Sequence, residues 1–581
     1  MRKNVKKRFI KIGLAVGMCF TILGGIFSHI NISKASKIDK ENIKIDFEIN
    51  TTSAENMSEH LVNDATFESN YFSNVSTEYN HNLAILSLQM SMCASSTAES
   101  DVKYGEILNK ISKVKDKKID YSKSRNGYLT KAYKDMGFYK DVYYKYEKPL
   151  NDTTDTAAYG IASRKIYVNN KEYNLVSVAV RSNGYGAEWA SNFMVKDENG
   201  NTGFHTAAIE VYKNIKKYIK DNKLGSNTKI WISGFSRGAA IANITGAYLD
   251  KNVKETKIAR DNIYVYGFAT PQGAYDVDGE EVSKELYNNI ITVVNESDVV
   301  PMVAPSKWGY HRYGKVYTIP SIYIPSKVTS KIESGEKVNY DGLSADSIAL
   351  AKKVSRDYCE IRFLNDPKTY EEKKDELYVG FNVNPKLKYV LDDIFEIFAN
   401  NSNEYSAKWQ DIFTDLMGYA IGQTKKYDEV TKQWVTYDNL KEYIEDNGPE
   451  DMMEIAEKKG VYSKEDYDKQ VKILQNMTLC NKKIMPGLVL NVKVDNGTTD
   501  NIKFLMDNYY AVRIMAAYYG IGQSEIKDVS GKLLDNIGNI VKTTMPFSEA
   551  ASFKKNHYGD FYLAYLQNYN PATGEVLVDL N

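Results

Sequence analysis

Between residues 160 and 300 the apolar positions change period several times, and each change marks an element. Residues 165–168 and 172–181 are rich in alternating and β-branched apolar positions around Asn169-Asn170, a dipeptide suited to a tight turn. They predict a β-hairpin whose second arm carries Val176, Val178 and Val180. At 206–221 the spacing becomes helical, with Ile209, Val211, Tyr212, Ile215 and Ile219 recurring every three or four residues. Ile230, Trp231 and Ile232 then form a short apolar run that passes into Gly234-Phe235-Ser236-Arg237-Gly238. A small-residue helix follows, with Ala239, Ala240, Ile241, Ala242 and Ala247. Further strands are predicted at 262–267 and 290–294. Strands alternating with helices in this order predict an α/β fold with a mostly parallel sheet covered by helices on both faces.

The flanks have a different texture. Residues 36–80 are rich in Asn, Ser, Thr and Glu and predict a mobile polar leader. Helical patterns occupy 81–94 and 105–114. From about Tyr323 the chain turns charged and largely helical through 340–480, as at 392–398 and 438–458, with a small β segment at 486–494. Helices follow at 502–519 and 525–541. The expected organisation is an N-terminal segment 1–35, a leader 36–80, a core 81–322, an inserted mainly helical module 323–545, and a C-terminal return to the core at 546–581.

The N-terminus adds a destination. Arg2, Lys3, Lys6, Lys7, Arg8 and Lys11 precede an apolar stretch from Ile12 to about Ile30, and Ser33-Lys34-Ala35 places small residues where signal peptidases cut. The expectation is a secretory signal peptide cleaved after Ala35 and a secreted protein, with an uncleaved anchor and cell-surface retention as the alternative. Lys+Arg and Asp+Glu are both 75, so net charge offers no reason to expect nucleic acid as a partner. The remaining cysteines, Cys93, Cys359 and Cys480, are no disulfide framework, and whether Cys359 and Cys480 pair is open. With six histidines and no zinc-type spacing, neither a metal nor another cofactor is expected.

Candidate chemistry centres on Ser236. A glycine-flanked serine between a strand and a helix is the context in which Gly-x-Ser-x-Gly presents a nucleophile, although a tight turn without chemistry has the same local pattern. A serine hydroxyl needs an imidazole to take its proton and a carboxylate to orient that imidazole. Asp298, just past the strand at 290–294, is the candidate acid, with Asp276 and Asp278 as weaker rivals. Downstream of Ser236 only His311 and His557 are available as base.

Four ordered blocks carry a family resemblance. They are Val180-Arg181-Ser182-Asn183 with Glu188-Trp189 and Asn192-Phe193; Gly234–Gly238; Tyr266-Gly267-Phe268-Ala269-Thr270-Pro271; and Asn295–Pro301 followed by Gly309-Tyr310-His311. Together they resemble the class 3 (fungal-type) lipases over residues 160–320, and the late Asn556-His557-Tyr558-Gly559 has the look of that family's terminal histidine block. The resemblance implies an α/β-hydrolase fold, Ser236 as nucleophile, Asp298 as acid and His557 as base. It makes His311 structural, as His205 also is expected to be. Backbone N–H groups of Asn183 and Arg237 become the oxyanion donors. The family has a glycine where this chain has Ser182, which makes Ser182 the fallback donor.

The implied activity is an exported serine ester hydrolase, a lipase or phospholipase acting on lipid or other acyl-ester substrates, with contact to a membrane surface left open. Cutinase-like, carbohydrate-ester and peptide acyl hydrolases share such a triad. A non-catalytic hydrolase-fold protein binding at the cell surface is the alternative from another class.

Overall fold

The computed structural model describes residues 44–52, 60–95, 126–146, 156–182 and 203–320, the last without 299, 303–305 and 307–308. It also describes 331–337, 344–377, parts of 405–475, 480–485, 488–492, 509–542 and 556–577. The expected helices at 105–114 and 392–398 and the segment 1–35 lie outside the described residues.

The described residues open with strands β1 (Lys44–Thr52) and β2 (His60–Glu68), an antiparallel pair in which Ile49 faces Asn63 and Thr51 faces Leu61. This corrects the reading of a mobile leader at 36–80 for its described part, residues 44–52 and 60–80. The segment is polar on average, but its apolar residues fall on alternate positions. Phe47 and Ile49 on one strand and Leu61, Ala65 and Phe67 on the other are buried against the core. Burying a large apolar side chain is worth about 1.5–3 kcal/mol, so this face anchors the hairpin despite its composition. Next come helices α1 (His81–Ala94) and α2 (Gly127–Asp135) and strand β3 (Tyr139–Tyr144). Strands β4 (Tyr159–Val168) and β5 (Lys171–Val180) form the expected hairpin, with Asn169 and Asn170 at φ 49° and 61° in its turn.

Helix α3 (His205–Asp221), strand β6 (Thr228–Phe235), helix α4 (Arg237–Lys251) and strand β7 (Ile263–Phe268) follow. Beyond them lie β8 (Ala274–Tyr275), β9 (Ile290–Asn295), β10 (Tyr310–His311) and β11 (Lys315–Ile319). The seven-stranded sheet runs β11-β9-β7-β6-β5-β4-β3, parallel from β11 to β5 and antiparallel through β4 and β3. All eight residues of β6 are buried, as the centre of a sheet covered on both faces requires. Ile230 and Ile232 face α3 and α4, packing with Val211, Ile215, Ile241 and Ile244. Trp231 points the other way, and its indole N–H donates 2.8 Å to Ser87 of α1.

Two later helices complete that second face. Helix α5 (Ala345–Arg362) contributes Leu350, Ala351, Val354 and Tyr358, and helix α6 (Gly559–Leu566) contributes Phe561, Tyr562, Leu563 and Leu566. The rings of Tyr358 and Phe561 meet at 5.7 Å, and Asn568 donates 2.7 Å to Asp357. A module beginning at 323 is therefore not separate from the outset, because α5 is part of the core. Sequence periodicity shows that such a helix is amphipathic but not what its apolar face meets. Cys359 of α5 is a free, buried thiol, pushed up to about 11 by burial, and the Cys480 side chain lies outside the described residues.

The expected helix at 438–458 is two helices, Leu440–Asn447 and Met452–Lys458, interrupted at Gly448-Pro449, where proline cannot continue the ladder. The β segment expected at 486–494 is the second arm of a hairpin, Cys480–Met485 with Leu488–Val492. A further hairpin joins Lys425–Asp428 to Gln433–Thr436, and Gln523–Lys542 is a long helix. Among the described residues no helix is long and apolar enough to cross a membrane.

One buried acid gives the core a pH signature. Asp250, at the end of α4, is 2% exposed and accepts a 3.0 Å bond from Asn289. Burial pushes its pKa from 3.8 up to about 8. Between those values the folded protein keeps a proton that the unfolded chain releases, so stability from this group is full at low pH and is lost as pH rises toward about 8. Thermal unfolding should therefore show wild type losing more Tm than Asp250→Asn between about pH 5 and pH 8. Parallel Tm-against-pH curves would rule this out.

Candidate active site

The turn from β6 into α4 holds Ser236 at φ 53° and ψ −124°, a conformation that costs a non-glycine residue about 1–3 kcal/mol. The Ser236 N–H donates 2.8 Å to the Phe268 carbonyl at the end of β7, which fixes the turn against the sheet. The flanking glycines are demanded by contact. A Cβ on Gly234 would lie 2.3 Å from the Gly238 carbonyl oxygen, and one on Gly238 would lie 2.6 Å from the carbonyl of Val180. These neighbours are backbone and cannot rotate away. Gly234→Ala should therefore lower stability by about 3 kcal/mol. Gly225→Ala, with nothing within 4 Å of the added carbon, should change it by less than about 0.5 kcal/mol in the same denaturant titration.

Two distant segments converge on this turn. The Ser236 hydroxyl lies 2.9 Å from His557 Nε2, and His557 Nδ1 lies 2.9 Å from Asp298 Oδ2. A carboxylate can only accept, so Nδ1 carries the proton and Nε2 presents its lone pair to the serine. The Asp298 side chain is wholly buried, whereas the imidazole keeps 24% of its surface open. Asp298 Oδ1 accepts from the Val300 N–H at 3.0 Å. Its Oδ2 also accepts from the Tyr562 hydroxyl at 2.9 Å. Burial, reinforced by the neighbouring Asp298 charge, raises the Tyr562 phenol well above its ordinary range, so it stays a donor.

Tyr562 and Asn295 are site residues that the sequence reading missed. The Tyr562 hydroxyl accepts from the Asn295 N–H at 2.9 Å, tying α6 to the end of β9. The Asn295 amide reaches the backbone and side-chain oxygens of Asn556 at 3.3 and 3.4 Å, and its Oδ1 caps the Ser297 N–H at 2.9 Å. One side chain thus joins the acid loop to the residue before His557. The signals were present as Asn295 opening the loop before Asp298 and an aromatic five residues after His557, but neither states a partner.

The other named residues lie elsewhere. His311 sits in β10, paired with Ala274, and its ring lies 3.1 Å from where a Cβ on Gly279 would be. Its Nε2 is buried without a hydrogen-bond partner among the described residues. His205 opens α3 and bonds the Tyr248 hydroxyl at 2.8 Å. Asp276 caps the N–H groups of Glu281 and Val282, which accounts for it locally, and Asp278 is exposed.

Of the expected oxyanion donors, Asn183 lies outside the described residues. Arg237 is the first residue of α4, where helix amides point toward the preceding turn. Its side chain is buried, donating 2.8 Å to the Thr156 carbonyl with the guanidinium over the Phe204 ring. Ser182 is corrected as the fallback, because its N–H is engaged by the Ser95 hydroxyl at 3.1 Å. Among the described residues no group of three His, Cys, Asp or Glu is arranged to hold a metal.

Comparison with known proteins adds one family. Residues 178–308 match the sequence profile of the lipase (class 3) family. A search among curated proteins found no significant match. Similar solved structures include a triacylglycerol lipase with a serine-protease-type triad, at 19% identity, covering 28% of this chain and 62% of that one, with a TM-score of 0.22. The lipase from Rhizopus microsporus var. chinensis is similar at 16% identity, over 40% of this chain and 74% of its own, with a TM-score of 0.25. The triacylglyceride lipase of Rhizomucor miehei is similar at 16% identity, over 27% and 62%, with a TM-score of 0.20. At such identities and scores they add nothing to the topology described above.

Proposed function

We infer that this chain, whose residues 178–308 carry the class 3 lipase pattern, is a serine ester hydrolase acting on acyl esters of the lipid class. The observation that carries this reading is the unbroken hydrogen-bonded series from Asp298 through His557 to Ser236. In the reaction His557 Nε2 takes the Ser236 proton as Oγ attacks the ester carbonyl carbon. Asp298 stabilises the imidazolium that forms. The tetrahedral oxyanion is received by two backbone donors, the Arg237 N–H at the start of α4 and the Asn183 N–H that the family resemblance implies. Collapse passes the proton from His557 to the leaving alcohol and leaves an acyl group on Ser236. Water activated by His557 then releases the fatty acid. Neither step calls for a cofactor.

The N-terminal basic and apolar segment supports export, with the mature chain beginning after Ala35, and a lipid substrate entails contact with a lipid surface. A nitrophenyl-ester series of rising chain length, followed by triglyceride and phospholipid emulsions, tests the substrate class. The reading expects kcat/KM to rise beyond short acyl chains and the emulsions to be hydrolysed. Turnover confined to acetyl esters would refute it.

A further inference from the structure

Arg312 is partly buried between the loops that flank the triad, and none of the steps above uses it. It follows β10 directly, and its Nε donates 2.6 Å to the Thr270 carbonyl just past β7. Its Nη2 donates to the carbonyl of Pro301, three residues beyond Asp298. These carbonyl oxygens accept from Nε and Nη2 but bring no counter-charge, and withdrawing a cation from water without one is costly. Its charged form is favoured by Tyr562 and, after it, by the Asp298 carboxylate, which supplies the nearby negative charge. Burial still drags the Arg312 pKa down to about 10, so it remains charged at neutral pH.

We propose that Arg312 is a positioning residue of the triad, clamping the loops after β7 and after Asp298 and keeping a fixed positive charge near the Asp298–His557 pair so that the pair resists taking up a proton. The proposal rests on the reading of Ser236, His557 and Asp298 as the reacting set. Among the described residues, His557 from the loop before α6 and Tyr562 from α6 bond Asp298, and Arg312 from beyond β10 interacts with it electrostatically. Tyr562 is neutral, which leaves Arg312 as the permanent positive charge among them. A clamp alone would alter geometry, whereas a clamp carrying charge also alters protonation. Removing the charge eases protonation of either member of the pair, and both effects move the acid limb of the rate profile in the same direction.

The test is kcat/KM against pH on a soluble ester for wild type, Arg312→Gln and Arg312→Lys, with Tm and circular dichroism on each. Arg312→Gln is expected to shift the acid limb upward by about one pH unit. Arg312→Lys is expected to lower kcat through lost bracing and leave the limb in place. A folded Arg312→Gln protein with its limb unmoved overturns the proposal. Should Arg312→Gln not fold, an Arg312→Lys limb shifted by about a unit overturns it, and an unshifted one supports it. Ser236→Ala run alongside separates the two levels. If Ser236→Ala keeps its activity, the triad reading fails; if it is inactive and the Arg312→Gln limb does not move, only the role of Arg312 fails.

Discussion

Ser236→Ala is expected to reduce ester hydrolysis by about 10⁴–10⁶-fold with little change in KM for a soluble ester. The size follows from geometry. The alanine removes the one atom, Oγ, that stands 2.9 Å from the base and begins the reaction. What survives is binding together with the backbone oxyanion donors, which alone give a modest residual rate. The fold should tolerate the change. The strained backbone at φ 53° is imposed by the close approach of Gly234 and Gly238, and the Ser236 N–H to Phe268 bond is kept in alanine. Unfolding midpoints within a few degrees of wild type, beside a loss of at least four decades in kcat, would distinguish lost chemistry from lost structure. An activity loss under tenfold would exclude Ser236 as nucleophile.

The second large effect separates the two downstream histidines. His557→Ala is expected to cost about as much as Ser236→Ala, and the double variant no more than either, because groups acting as one unit are not additive. His311→Ala is expected to keep activity within about tenfold, its main effect being a stability loss of about 1–2 kcal/mol from the space left against Gly279. His311 takes no part in the hydrogen-bonded series, whereas both ring nitrogens of His557 do. Steady-state kinetics with thermal unfolding on the three variants checks this. A His311→Ala protein that is folded and inactive, beside an active His557→Ala protein, would reverse the assignment.

The parts of this fold legible from sequence are those in which a single segment carries its own signal. The β4–β5 hairpin announced itself through Asn169-Asn170, and β6 through an apolar run followed by glycines that leave room for α4. Less legible was anything decided by a distant partner. The β1–β2 hairpin is polar by count, and only the alternation of Ile45, Phe47 and Ile49 marks a face. That alternation gains meaning once α1 and the core lie beneath it. Helix α5 reads as one of many charged helices, but its apolar stripe packs with α6 on the sheet.

The same limit applies at the site. Ser236 is marked by its local pattern and Asp298 by its position after a strand. His557 stands 259 residues beyond Asp298, and only a resemblance could nominate it. Asn295, Tyr562 and Arg312 act across three elements, so their roles exist only in the assembled structure.

The central claim is that His557 and Asp298 make the Ser236 hydroxyl a nucleophile in the folded protein. Reaction with a fluorophosphonate probe, followed by peptide mass mapping, tests it most directly. The account predicts one adduct per chain, on Ser236, abolished by Ser236→Ala and slowed by several decades in His557→Ala. A folded wild-type protein that stays unlabelled, or one labelled at another serine, would contradict it.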